Sequence, residues 1–156
     1  MPISEIQSLD PLEVAVKKVR DYFTQLKKPI FVEDVSLEFS VLKGLPGTYI
    51  NDFLNSLGNK GLIKILSPYK NKKAIAQTTL VFKDNSKKEH IFTGKVTGKI
   101  SSKPKGNQGF GWDQIFIPDG SDKTFAQMSL VEKNKYSMRV KAFKKFKKYL
   151  ELNDKI

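Results

Sequence analysis

Pro29-Ile30-Phe31-Val32-Glu33-Asp34 is the stretch on which the reading of this chain turns. Three apolar residues after a proline read as a short buried strand, and the strand runs directly into two adjacent carboxylates. The end of a strand is where α/β folds place their ligands. Glu33 and Asp34 are therefore candidates to hold a divalent cation or to orient a water, although adjacent acids are also common on solvated surfaces.

Upstream, Asp10-Pro11-Leu12-Glu13 is a strong helix start, with Asp10 as cap, Pro11 in the first helical position and Glu13 three residues after the cap. Leu12, Ala15, Val16, Val19, Phe23 and Leu26 follow at helical spacing. Lys17, Lys18 and Arg20 lie off that stripe, and Pro29 closes the helix near Lys27-Lys28.

Downstream, Leu37, Phe39, Val41 and Leu42 continue an extended or irregular segment up to the turn Gly44-Leu45-Pro46-Gly47. Tyr49 to Leu57 is predicted helical, and Gly58 and Gly61 separate it from a second short helix at Leu62 to Leu66. Ala74 to Phe82 and Glu89 to Ile100 are predicted to pair as a hairpin around Lys83-Asp84-Asn85-Ser86. Gly94 and Gly98 inside the second strand point to bulges or to close backbone approach. Ser101 to Gly111 is a loop, Ile115-Phe116-Ile117 a short strand, and Ser137 to about Leu152 a final helix. The expected buried stripe of that helix is Val140, Phe143, Phe146 or Lys147, and Leu150.

Composition limits the chemistry. The chain has 156 residues, 28 Lys and Arg against 16 Asp and Glu, a formal charge of +12, one histidine and no cysteine. Thiol nucleophiles, disulfides and cysteine-ligated zinc are excluded, and a lone His90 argues against a Ser-His-Asp triad. Any metal would be a hard cation on carboxylates. No apolar run reaches the roughly 20 residues of a membrane helix, and Met1-Pro2-Ile3-Ser4-Glu5 lacks a signal-peptide pattern. These features give the expectation of a cytoplasmic protein. The basic excess suggests nucleic acid, but eight Lys or Arg and no acid fall between Lys133 and Leu150. One solvated helix face accounts for much of the charge.

The most distinctive stretch is Lys103-Pro104-Lys105-Gly106-Asn107-Gln108-Gly109-Phe110-Gly111-Trp112-Asp113. Glycines beside Phe110 and Trp112 let the backbone approach a flat ligand on which the rings could stack, and Asp113 could accept hydrogen bonds from a purine edge or a sugar. Composition alone equally allows both rings to be core aromatics. Glu132-Lys133-Asn134 and Ser137-Met138-Arg139 flank the start of the final helix. Lys133 and Arg139 could reach a phosphate or a base carbonyl there, or could be solvated cations.

In series, Phe31-Val32-Glu33-Asp34, Gly44-Leu45-Pro46-Gly47, Gly109-Phe110-Gly111-Trp112-Asp113, Thr124-Phe125-Ala126-Gln127-Met128, Glu132-Lys133-Asn134 and Ser137-Met138-Arg139 resemble the inosine/xanthosine triphosphate pyrophosphatase family in order and spacing. Gly94-Lys95-Val96-Thr97-Gly98-Lys99-Ile100 resembles the same family's Gly-x-x-x-Gly-x-Ile strand. The resemblance implies an α/β fold, with an elongated mixed sheet flanked by helices and two lobes around a central cleft, over residues 1–156 as a single domain. It implies Mg²⁺-dependent hydrolysis of deaminated purine nucleoside triphosphates to the monophosphate and pyrophosphate, by a homodimer in the cytoplasm.

By position, the resemblance makes Asp34 the catalytic carboxylate, with Glu33 assisting. Glu5 and Asp34 would hold the metal, and Lys18 would lie near the phosphates. Phe110 would stack on the base, Trp112 and Asp113 would complete the pocket, and Lys133, Ser137 and Arg139 would address the base. Departures accompany the match. The family's opening strand and its Ser/Thr-x-Asn-x-x-Lys loop have no counterpart, so a shortened N-terminus with an exposed sheet edge is expected. A catalytically weak nucleotide binder is the alternative that this shortening raises. Met138 stands where the family has histidine, Val35-Ser36 where it has Thr-Gly or Thr-Cys, and Gln127 where it has glutamate.

Overall fold

A computed structural model describes residues 2–153. Helix α1 (Pro11–Leu26) begins as its sequence dictates: the Asp10 side chain accepts from the Leu12 amide, and Lys27 closes the helix in the left-handed region. Its buried residues are Val14, Ala15 and Val19. The two ends of the expected stripe, Leu12 and Leu26, are 39% and 40% exposed, because the helix rests on the sheet only through its middle.

Strand β1 (Ile30–Phe39) is ten residues long and pairs along its whole length with β3 (Lys73–Lys83). The carboxylates Glu33 and Asp34 therefore sit in the middle of a strand, not at its end. Burial reads through them to Leu37 and Phe39, both fully buried, which is why the segment stays in the sheet. Residues Ser40–Leu42 form a single 3-10 turn, and β2 (Pro46–Gly47) returns against β1 at Leu37 and Glu38. Strand β3 pairs with β4 (Glu89–Ile100) in the expected hairpin, and β5 (Phe116–Pro118) adds to the far end of β4. The order is β2-β1-β3-β4-β5. The class is α/β as expected, but every pairing among the described residues is antiparallel where a mixed sheet was expected. From Ile30 to Ser36 the outer edge of β1 has no strand beside it among the described residues.

Side chains alternate across a strand, and the two faces at this end carry different helices. Val32 and Val81 pack with Ala15 and Val19 of α1. On the opposite face Leu80 packs with Ala142 and Phe146 of α4 (Met138–Asn153). Phe146 lies 5.2–5.4 Å, ring to ring, from Phe31, Phe82 and Phe92. The buried stripe of α4 is Met138, Ala142 and Phe146, and Leu150 is 39% exposed, so the helix is rotated from the expected phase. Gly94 explains the rotation. A Cβ there would overlap the Met138 carbonyl and crowd the Ala142 amide, so the backbone of the helix lies directly against the bare backbone of the strand.

The largest core cluster lies at the other end of the sheet. Leu37, Phe39, Ala76, Val96 and Ile100 meet Ile50, Leu62 and Leu66 of α2 (Ile50–Leu66), with Trp112, Phe116 and Phe125 from the loops. Gly58, at a φ of +67°, kinks α2 into two helical stretches, so the two expected helices are present with the break at Gly58 alone. A short helix, α3 (Leu130–Asn134), precedes α4. Fully burying one large apolar side chain is worth about 1.5–3 kcal/mol, against roughly 0–1 kcal/mol for an exposed ion pair. These apolar clusters hold the fold, and the ion pairs mainly set positions.

Candidate active site

A cleft of about 440 Å³ is lined by Lys18, Glu33, Asp34, Val35, Phe110, Trp112, Asp113, Lys133, Ser137, Met138 and Arg139, among others. Every sequence-predicted site residue except Glu5 lines it. The cleft reaches both faces of the sheet because β1 is the edge strand there. Adjacent residues of a strand point oppositely, so Asp34 projects beneath α1 and Glu33 toward α4.

Asp34 meets the Lys18 ammonium at 3.1 Å, and Glu5 meets the same ammonium at 2.9 Å. Glu5 thus joins the site through Lys18. Burial pushes the Asp34 carboxyl above the ordinary carboxylate range. Lys18 pulls against that shift without cancelling it, and the Glu5 charge adds to it. For Lys18, burial alone would lower the pKa, but the hydrogen bond to Glu5 and the Asp34 charge together raise it. Two carboxylates from different chain segments that share one cation suit a hard divalent ion. Mg²⁺ commonly binds through one or two carboxylates and completes its shell with water and phosphate oxygens. Among the described residues no cluster of three acidic or histidine ligands forms a closed cage.

The other end of the cleft is built from two further ion pairs. Lys133 donates to Asp113 Oδ2 at 2.7 Å, with both side chains largely buried. Arg139 grips Glu33 through two nitrogens, each at 2.8 Å, and its guanidinium lies 5.2 Å from the centre of the Phe143 ring. Glu33 is therefore engaged with Arg139 on the face opposite Asp34. Asp113 also accepts from the Phe110 amide at 3.1 Å, which ties the aromatic loop to Lys133.

The two aromatic candidates part company. Phe110 is 78% exposed, flanked by Gly109 and Gly111 at positive φ, with the Lys133 ammonium 5.3 Å from its ring centre. Trp112 is 6% exposed and packs against Phe116 and Phe125, so most of its ring belongs to the core. Ser137 is buried, and its Oγ faces the Val140 amide at 3.4 Å at the start of α4. Gln127, in place of the expected glutamate, accepts from the Thr124 amide through its side-chain oxygen, a contact that needs no charge. His90 lies apart from the cleft, between Asp84 at 2.7 Å and the Tyr149 hydroxyl at 3.1 Å.

Sequence reading overlooked Asn59, whose amide donates to the Gly111 carbonyl at 3.0 Å. The break at Gly58 was its only signal. Leu130, exposed at the cleft mouth, was also overlooked.

The chain is similar to several named proteins. The dITP/XTP pyrophosphatase of Saccharolobus solfataricus is 43% identical over 147 residues, covering 94% of this chain and 76% of that protein. The inosine triphosphate pyrophosphatase of Saccharomyces cerevisiae is 43% identical, covering 99% of this chain and 79% of that protein. The inosine triphosphate pyrophosphatase of Giardia intestinalis is 44% identical, covering 96% and 78%. The solved Staphylococcus aureus Ham1 protein superposes with a TM-score of 0.89 at 26% identity, covering 98% of this chain and 82% of that one. The Ham1 family model matches residues 1–149, and with these relatives it shows that the chain belongs to the Ham1 family.

Proposed function

We propose that the protein is a hydrolase that splits deaminated purine nucleoside triphosphates, such as those of inosine and xanthosine, into the monophosphate and pyrophosphate. The observation that carries this reading is the cleft itself. It has a carboxylate of raised pKa beside a shared ammonium at one end, and an exposed ring beside paired cations at the other. The names of the relatives favour turnover over the alternative of a weak or inactive binder.

The cleft is short of positive charge although the chain as a whole is +12. Among the described residues the cleft's cations, Lys18, Lys133 and Arg139, are already engaged by Asp34, Asp113 and Glu33, with Glu5 reaching Lys18 from beside the cleft. A triphosphate, itself polyanionic, needs a further cation in such a place. This supports Mg²⁺ as cofactor, with Glu5 and Asp34 as its protein ligands. When bound, the ion would supply charge neutralisation for the phosphate oxygens.

The remaining roles fall to the chain's own groups. Phosphoryl chemistry depends on positioning and charge neutralisation more than on a covalent nucleophile. Asp34 orients the attacking water and accepts its proton, and a carboxyl held above the ordinary range is better matched to that task near neutrality. Lys18 keeps Asp34 ionised and offers donors to the phosphates. Phe110 stacks on the base. Lys133, Arg139 and Ser137 present donors to its edge, and Glu33 orients Arg139. A 6-keto purine carries an acceptor where adenine carries a donor. Adenine would leave those donors unpaired, which is what rejects it. Trp112 and Asp113 complete the pocket wall. The same reading includes a homodimer in the cytoplasm. Among the described residues no helix is long and apolar enough to cross a membrane.

The test is pyrophosphate release from inosine triphosphate against adenosine triphosphate with Mg²⁺. Turnover of the inosine substrate, lost in Asp34→Asn, is expected. A folded protein that releases no pyrophosphate from any purine triphosphate would overturn the reading.

A further inference from the structure

Phe110 is the most exposed aromatic ring at the cleft, and little packs against it. Its position must therefore come from the backbone that carries it. That backbone is anchored at several points. The Gln108 amide donates to the Ala126 carbonyl at 2.9 Å, the Phe110 amide to Asp113 at 3.1 Å, and the Gln114 side chain to the Gly106 carbonyl at 3.0 Å.

All three anchors lie within residues 106–126. Asn59, from α2, supplies one from outside. Its Nδ2 donates to the Gly111 carbonyl at 3.0 Å and lies 3.4 Å from Gln114 Oε1. The break at Gly58 re-aims the helix so that Asn59 opens its second half facing the loop. The amide's other atom, Oδ1, is buried without a partner among the described residues. A buried unsatisfied acceptor costs about 1–3 kcal/mol, so this side chain is held for its donor.

We propose that Asn59 is a positioning residue, whose amide holds the Gly109–Trp112 turn where the Phe110 ring meets the flat face of the substrate base. The inference rests on the reading of the cleft as a purine triphosphate site. It adds a specificity-supporting contact from a helix that has no other role in that reading.

The test compares wild type with Asn59→Asp, which keeps the shape but replaces the donor with an acceptor facing a carbonyl. Asn59→Gln restores an amide. In Asn59→Asp the KM for inosine triphosphate should rise about tenfold, the effect of losing one well-placed contact, with kcat within about twofold. Inhibition by inorganic tripolyphosphate, which has no base, should be unchanged. Trp112, the one tryptophan, reports the turn directly: its quenching by acrylamide should increase in Asn59→Asp and return toward wild type in Asn59→Gln. Unchanged KM and quenching would overturn the proposal. So would equal losses for the nucleotide and for tripolyphosphate, since that would place the defect in the whole cleft. If wild type binds inosine triphosphate without turnover, the hydrolase reading fails, and the same comparison is made on Kd by Trp112 fluorescence. If wild type does not bind the nucleotide, both readings fall.

Discussion

Two of the cations on helix α1, Lys18 and Arg20, flank the buried Val19, and each closes an ion cluster of opposite design. Lys18 is one cation between two anions, Glu5 and Asp34. On the other flank Glu89 is one anion between two cations, with Arg20 at 2.7 Å and Lys83 at 2.8 Å. The Arg20 and Lys83 contacts outweigh burial and pull the Glu89 carboxyl down to about 2, so it is settled in its charged form. Asp34 is pushed the other way, mainly by burial. The same helix thus ties down one end of the hairpin and leaves a carboxylate unsettled in the cleft. Unsettled groups in clefts mark chemistry, and satisfied ones mark structure.

The largest effect expected on this contrast comes from Asp34→Asn. Pyrophosphate release from inosine triphosphate should fall by about 10²–10⁴ in kcat, with KM changed little, in a steady-state assay. Next is Lys18→Met, with an expected loss of about a hundredfold in kcat. Its pH profile is the sharper readout. In the proposed mechanism Asp34 works as the carboxylate, so activity should fall as pH drops through its pKa. Without Lys18, burial and Glu5 both act to raise that pKa, and the acid limb of kcat/KM should move to higher pH. A limb that stays in place would separate Asp34 from the observed titration.

A smaller change is expected at the base end. Glu33→Gln frees Arg139 and should lower the preference for inosine over adenosine triphosphate by about tenfold, with kcat for the inosine substrate retained. A collapse of kcat instead would make Glu33 a partner of Asp34 in the chemistry. The smallest effect is Glu89→Gln, which should leave activity unchanged and cost less than about 1 kcal/mol in denaturant titrations at pH 7. The sign follows from the lowered pKa. The contribution of Glu89 is complete above its ordinary value of 4.5 and is lost as pH falls through about 2. The difference between variant and wild type should vanish over that range.

Much of the frame could be read from local patterns. Asp10-Pro11 capped α1 as expected, and the β3-β4 hairpin formed where its alternation and turn placed it. The site residues could be read as a set only through their order along the chain, because Lys18, Asp34, Phe110 and Lys133 meet through tertiary packing. Local pattern misplaced Glu33 and Asp34. A strand with charges in its middle looks finished, but pairing with β3 and the edge position of β1 let it continue. The phase of α4 was missed for a similar reason. Apolar spacing favoured Leu150, whereas Gly94 selected Ala142. Asn59 left almost no trace, since an asparagine after a glycine resembles any helix break.

That contact between Gly94 and α4 has a mechanical consequence. The helix that presents Ser137 and Arg139 to the cleft rests its first turns on a strand position with no side chain. The bare backbone acts as a fulcrum. A single methyl at residue 94 would tilt the whole rod, lifting Arg139 from Glu33 at one end and shearing Phe146 from its aromatic neighbours at the other. The depth of the cleft and the seating of the core are thus set by one dimension, the thickness of a glycine.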